Sequence, residues 1–94
     1  MRKAELVDEI FKKTDVEKKT VQEVVEAFME TVKKSLIGNE NVYLRGFGSF
    51  IVKKRAQKKA RNISKNTTIV IPEHFIPAFR PSKKFVNRVK DNVK

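Results

Sequence analysis

The sequence predicts an α+β domain: two helices, then short strands with a basic β-ribbon, then a last helix. Two observations predict it. Apolar residues recur at helical spacing as far as residue 38, and from Asn41 they give way to short β-branched and aromatic runs punctuated by Gly and Pro.

The first helix is expected over residues 3–13, where Leu6, Val7, Ile10 and Phe11 keep the i, i+1, i+4, i+5 spacing of one helical face. A longer stripe, Val21, Val24, Val25, Phe28, Val32 and Leu36, starts near Lys18, with Glu23, Glu26, Glu30 and Lys33 on the opposite side. Gly38 is expected to supply the left-handed residue that ends this second helix. Residues 1–38 therefore read as a helical hairpin, and its apolar stripe reads as packing core, not as a ligand box.

From Asn41 the period becomes extended. Val42, Tyr43 and Leu44 form a short β run, Gly46 and Gly48 flank Phe47 in a turn that allows positive φ, and a strand resumes at Phe50, Ile51 and Val52. Residues 53–61 then have almost nothing to bury, while Thr67 to Ile71 is strongly β-branched. The two runs are expected to pair around a turn over residues 62–66. Because one strand lacks apolar residues, the ribbon cannot lie on a core, and it should project as an arm over about residues 53–76. Eight residues at ~3.3 Å each give it a reach of roughly 26 Å. Pro72, Pro77 and Pro81 cannot donate to a ladder, so the chain returns to the body along an edge. Ser82 reads as the N-cap of a last helix over residues 82–91, with Phe85, Val86 and Val89 on one face. Lys83 and Lys84 fall in its first turn, where the dipole disfavours cations: either an anion such as phosphate binds there or the two are a tolerated surface pair.

Charge is the strongest pointer to a partner. Residues 1–44 hold eight Lys/Arg against nine Asp/Glu, a net of −1, whereas residues 45–94 hold fourteen against two, a net of +12. Seven bases and no acid lie within residues 53–71. Positive potential concentrated on one segment calls for a polyanion, with nucleic acid first. At 94 residues without Cys, the chain is one small domain with no disulfide, thiolate metal site or cysteine chemistry. Subtracting the arm leaves little more than 70 residues, so association through the amphipathic helices and some of the seven Phe is the expected remedy. No apolar run resembles a secretory signal or a membrane span, and a soluble intracellular protein is expected.

Four features, Gly46-Phe47-Gly48-Ser49-Phe50, Arg61-Asn62, Ile71-Pro72, and Ile76-Pro77-Ala78-Phe79-Arg80-Pro81 followed by Lys83, resemble the bacterial HU and integration host factor family. Order and spacing agree without gaps from residue 1 to about residue 90. The resemblance implies an intertwined dimer with a helical base, a short β-sheet saddle and one protruding β-ribbon arm per subunit. In that family the arms enter the minor groove of double-stranded DNA and bend it. Two departures stand out. The family usually carries Pro after Arg-Asn, and that residue inserts between base steps; here it is Ile63, and Ile also serves as an apolar wedge. Asn66 and Ser82 stand where Gly is common, one tolerating a tight turn and the other capping a helix.

Carried over, Arg61 would lie in the groove beside the Ile63 wedge, with Asn62 at the arm tip. Lys53, Arg55, Lys58, Lys59, Lys65, Arg80, Lys83 and Lys84 would attract phosphates together with Gly46 and Ser82, and Lys3 would be a weaker flank contact. Phe47, Phe50 and Phe79 match dimer-core aromatics. The implied role is architectural and nucleoid-associated in a bacterial cytoplasm, as a homodimer or with a related chain. No cofactor or metal is called for. An enzyme is disfavoured because the basic half offers only Glu73, His74 and Asp91 for metal-dependent chemistry. The alternative is an RNA-binding or ribosome-associated protein, which charge alone permits.

Overall fold

A computed structural model of the chain describes residues 1–62 and 67–93, with Arg61 and Asn62 placed as strand backbone. It divides into two compact units, Met1–Ser35 and Leu36–Lys94.

The first unit is built from α1, Lys3–Thr14, and most of α2, Lys18–Ile37. α1 stops at Asp15, whose φ of 57° is left-handed and whose N–H donates to the Phe11 carbonyl at 2.9 Å; a short polar side chain makes that conformation accessible. Val7, Val21 and Val32 are the buried hydrophobic side chains among the described residues, while Val24 and Phe28 on the same expected stripe stay exposed. Lys3 Nζ donates to Glu26 Oε1 at 2.8 Å. Asp8 receives Lys12 at 3.1 Å and Lys18 at 3.4 Å. Those two ammonium groups, Lys12 first, hold the Asp8 carboxyl below the usual carboxylate range. Whatever the pair contributes is therefore present at neutral pH and is lost as acid protonates Asp8.

α2 ends differently from the sequence expectation. The left-handed residue is Asn39, at φ 62°, and not Gly38. The chain closes a turn in which the Asn39 N–H donates to the Leu36 carbonyl at 3.0 Å, and Asn tolerates that backbone well enough to take the glycine's role.

In the second unit β1, Val42–Leu44, β2, Gly48–Arg55, and β5, His74–Pro81, form an antiparallel sheet in the order β1-β2-β5. β5 lies on an edge, where Pro77 and Pro81 cost no inner ladder bond. At the β1 end, Asn41 Oδ1 accepts the Val52 N–H at 3.0 Å and so stands in for a missing strand residue. β3, Lys58–Asn62, pairs with β4, Thr67–Ile71, as a separate two-stranded ribbon. The expected single strand over residues 53–61 is therefore broken. Lys53, Lys54 and Arg55 pair with Ile76, Phe75 and His74 in the body sheet, and only the part from Lys58 onward pairs with Thr67–Ile71. Pro72 has no N–H to continue the ladder, and the interruption at Pro72-Glu73 is matched by Ala56-Gln57 across from it. α3, Lys83–Asn92, completes the unit, capped by Ser82, whose Oγ accepts the Phe85 N–H at 3.2 Å.

The β1–β2 turn uses both glycines at positive φ, 79° at Gly46 and 158° at Gly48. A Cβ at Gly48 would fall 2.6 Å from the Arg80 carbonyl oxygen and 2.7 Å from Phe79 Cζ. Gly48→Ala is therefore expected to destabilise the fold by on the order of 3 kcal/mol, since a neighbouring backbone and a packed ring cannot both give way. Urea unfolding checks this; an unchanged midpoint would mean that β2 and β5 can separate at no cost.

Candidate nucleic-acid interface

Paired residues of an antiparallel sheet share a face, and the face alternates along each strand. The register of β1, β2 and β5 therefore sorts their side chains. Val42, Phe50 and Phe79 lie on one face, joined by Leu44, Val52, Pro77, Phe75 and Lys54. Tyr43, Ser49 and Arg80 lie on the other, joined by Ile51, Ala78, Lys53, Ile76, Arg55 and His74. One face is aromatic and the other is basic.

The aromatic face carries a cluster. Phe79 sits 5.1 Å from Phe47 and 5.0 Å from Phe50 between ring centroids, and Phe47 stacks on Phe85 at 5.6 Å. Even so, Phe47 is 45% and Phe79 39% exposed, and Gly48 is the only buried residue among those described in this unit. Phe75 extends the same face toward the arm and is 66% exposed. A single chain thus assembles a core without closing it.

On the basic face Lys53, Arg55 and Arg80 are exposed. Lys54 alternates to the opposite side, where its Nζ meets Glu73 Oε1 at 3.2 Å. The β1–β2 turn and α3 are pinned at one end of this face. Ser82 Oγ donates to the Gly46 carbonyl at 3.0 Å, and the Ser82 N–H donates to the Phe47 carbonyl at 2.9 Å. This brings Gly46, Arg80 and Ser82 together around a groove of about 440 Å³ that also takes in Tyr43 and Arg45, and Lys83 and Lys84 follow Ser82 in the first turn of α3. Arg45 and Tyr43 escaped the sequence reading.

The ribbon supplies the rest. Lys58, Lys59 and Ala60 face Ile71, Val70 and Ile69 in register, and every residue of β4 is exposed, so the arm rests on no core. Arg61 and Asn62 occupy the register positions opposite Thr68 and Thr67. Ile63, Lys65 and Asn66 lie outside the described residues. Lys3 belongs to the first unit, ion-paired with Glu26. Among the described residues no group of three or more His, Cys, Asp or Glu is placed to hold a metal ion, and no helix is long and apolar enough to cross a membrane.

Comparison with known proteins agrees with this arrangement. Residues 1–90 match the profile of the family described as bacterial DNA-binding protein. The chain is 39% identical over 90 residues to DNA-binding protein HU of Thermotoga maritima, covering 96% of this chain and all of the relative. It is 36% identical over 91 residues to the integration host factor alpha subunit of Proteus mirabilis, covering 97% and 93%. Among solved structures, an Anabaena HU–DNA cocrystal structure superposes with a TM-score of 0.86 at 36% identity, each chain covered in full.

Proposed function

The chain belongs to the bacterial DNA-binding protein family of HU and integration host factor, and from this we propose that it is an architectural protein that binds and bends duplex DNA as a dimer. The observation that carries the reading is the two-faced sheet. Its open aromatic side wants a second copy of the chain, and its basic side wants a polyanion. The Anabaena relative was crystallised with DNA, and the likeness covers the whole of both chains.

In this reading the two arms follow the minor groove. Its pattern of donors and acceptors is degenerate, so affinity comes from phosphate neutralisation and from the deformability of the sequence being bent. Lys53, Arg55, Arg80, Lys83 and Lys84 line the approach, with Lys58, Lys59 and Arg61 on the arm and Ile63 as the wedge in the segment joining β3 to β4. The role follows from the chemistry: compaction of a bacterial nucleoid, or folding of DNA sites for replication, recombination or transcription.

The test is whether the protein bends DNA and whether Ile63 sustains the bend. Energy transfer across an end-labelled duplex should rise on saturation with protein. Ile63→Ala should reduce that bend and weaken binding to intact duplex, because the unstacking it supports costs on the order of a few kcal/mol per step. Nicked or pre-kinked DNA should suffer less, since it is already deformed. An unchanged bend at saturation would remove the wedge, and a preference for regular A-form RNA over kinked DNA would replace the whole reading with an RNA-binding one.

A further inference from the structure

At the base of the arm lies a hollow of about 450 Å³, lined by Arg55, Lys58 and His74 over an apolar wall of Ile71 and Ile76, with Lys54 alongside; the reading above uses Arg55 and Lys58 and leaves His74 unassigned. His74 is the only histidine in the chain. It begins β5, on the face of Arg80, directly across from Arg55.

Its ring is already oriented. Nδ1 lies 3.0 Å from the Pro72 carbonyl oxygen. A carbonyl can only accept, so Nδ1 carries a proton and donates it. The other nitrogen, Nε2, is then the atom whose character changes: a bare acceptor in the neutral ring, an N–H donor in the charged one. A phosphate oxygen is repelled by the first and bound by the second.

The surrounding charges decide what the hollow lacks. From β2 come Arg55 and Lys53 on the same face and Lys54 on the opposite one; from β3 comes Lys58; β4 contributes the uncharged Ile71. The one carboxylate nearby, Glu73, is engaged by Lys54 at 3.2 Å. A protonated His74 thus joins two cations with no free anion to balance them, and a phosphodiester has the charge and the two acceptor oxygens to do so.

We propose that this hollow seats a DNA phosphodiester when His74 is protonated, so that a single imidazole makes the grip of the arm base tighten as pH falls. The proposal rests on the DNA-binding reading and adds to it a site and a regulation. Histidine is the side chain whose charge ordinarily changes between about pH 5 and pH 8. Linkage makes the coupling reciprocal: protons strengthen DNA binding, and bound DNA strengthens proton binding.

The experiment compares wild type with His74→Gln on one duplex of about 30 base pairs, long enough to be bent, at fixed ionic strength near pH 5.5 and near pH 8. Wild type should bind at least about fivefold tighter on the acid side, the low end of an ordinary coupling between two ligands, and His74→Gln should match wild type at high pH without tightening in acid. NMR of the lone imidazole should show its titration midpoint move upward when the duplex is added. The same pH ratio in both proteins, or a midpoint that DNA leaves in place, overturns the proposal. Should both proteins bind with steep salt dependence but no pH difference, the His74 site alone fails. Should neither bind the duplex at any salt, the functional reading fails and takes the site with it.

Discussion

Raising the salt from about 50 to about 200 mM is expected to weaken binding of the dimer to duplex DNA by roughly 10³ to 10⁵. The estimate follows from which cations are free. Lys12 and Lys18 are held by Asp8, Lys3 by Glu26, Lys33 by Glu30 and Lys54 by Glu73. Lys53, Arg55, Lys58, Lys59, Arg80, Lys83 and Lys84 are exposed, and no carboxylate ion pair is found for any of them among the described residues. Two copies of even half that set give about six to ten phosphate contacts, each releasing counterions with a slope near −0.9 in log K against log salt. Lys58→Ala should lower the slope by about one per contact removed, hence by about two in a dimer altered in both chains. Lys54→Ala should change it less, since that charge is already paired with Glu73. A slope near zero, or equal losses from Lys54 and Lys58, would contradict the sorting of cations into paired and free.

Much of this was legible in the residues because it rests on short-range rules. The periods of 3.6 and two place α1, α2, β1 and β4 within a residue or two, and Ser82 behaves as the cap its side chain predicts. The glycines of the β1–β2 turn do need positive φ. What was not legible depended on pairing at a distance. Nothing local in residues 53–61 says that Lys53 to Arg55 pair with β5 and Lys58 onward with β4; that division follows from Pro72 and Glu73, more than ten residues away. The left-handed end of α2 fell to Asn39 because the turn needed one such residue and either neighbour could serve.

The same limit applied to the interface. Composition and the run of bases announced a polyanion, and the resemblance named which positions to watch. Arg45 and Tyr43 went unmarked as interface residues, and His74 was weighed only for metal-dependent chemistry, because each is a single residue whose meaning comes from its partners: Ser49 and Arg80 beside Tyr43, Arg55 and Lys58 beside His74. A sheet register, not a motif, makes them neighbours.

The second large effect concerns the aromatic face. Phe79→Ala is expected to raise the dimer dissociation constant by roughly two to four orders of magnitude, the consequence of about 3–5 kcal/mol for truncating a Phe in a packed core. In one chain Phe79 touches Phe47 and Phe50 and covers Gly48, yet remains 39% exposed. If that exposure persisted in solution the loss would be smaller, because part of the ring would never leave water. The full cost requires a second chain to close over the ring. The magnitude therefore measures the shared core itself. Tyr43→Ala is the matched control, 72% exposed on the basic face, and should change stability by less than about 0.5 kcal/mol. Melting over a hundredfold dilution reads both, since folding coupled to association makes the midpoint depend on concentration. Wild type should melt lower on dilution, and Phe79→Ala should fall apart at concentrations where wild type is still paired. A wild-type midpoint that ignores dilution, in a species sedimenting at the 10.9 kDa of one chain, would mean that the open aromatic face is satisfied without a partner.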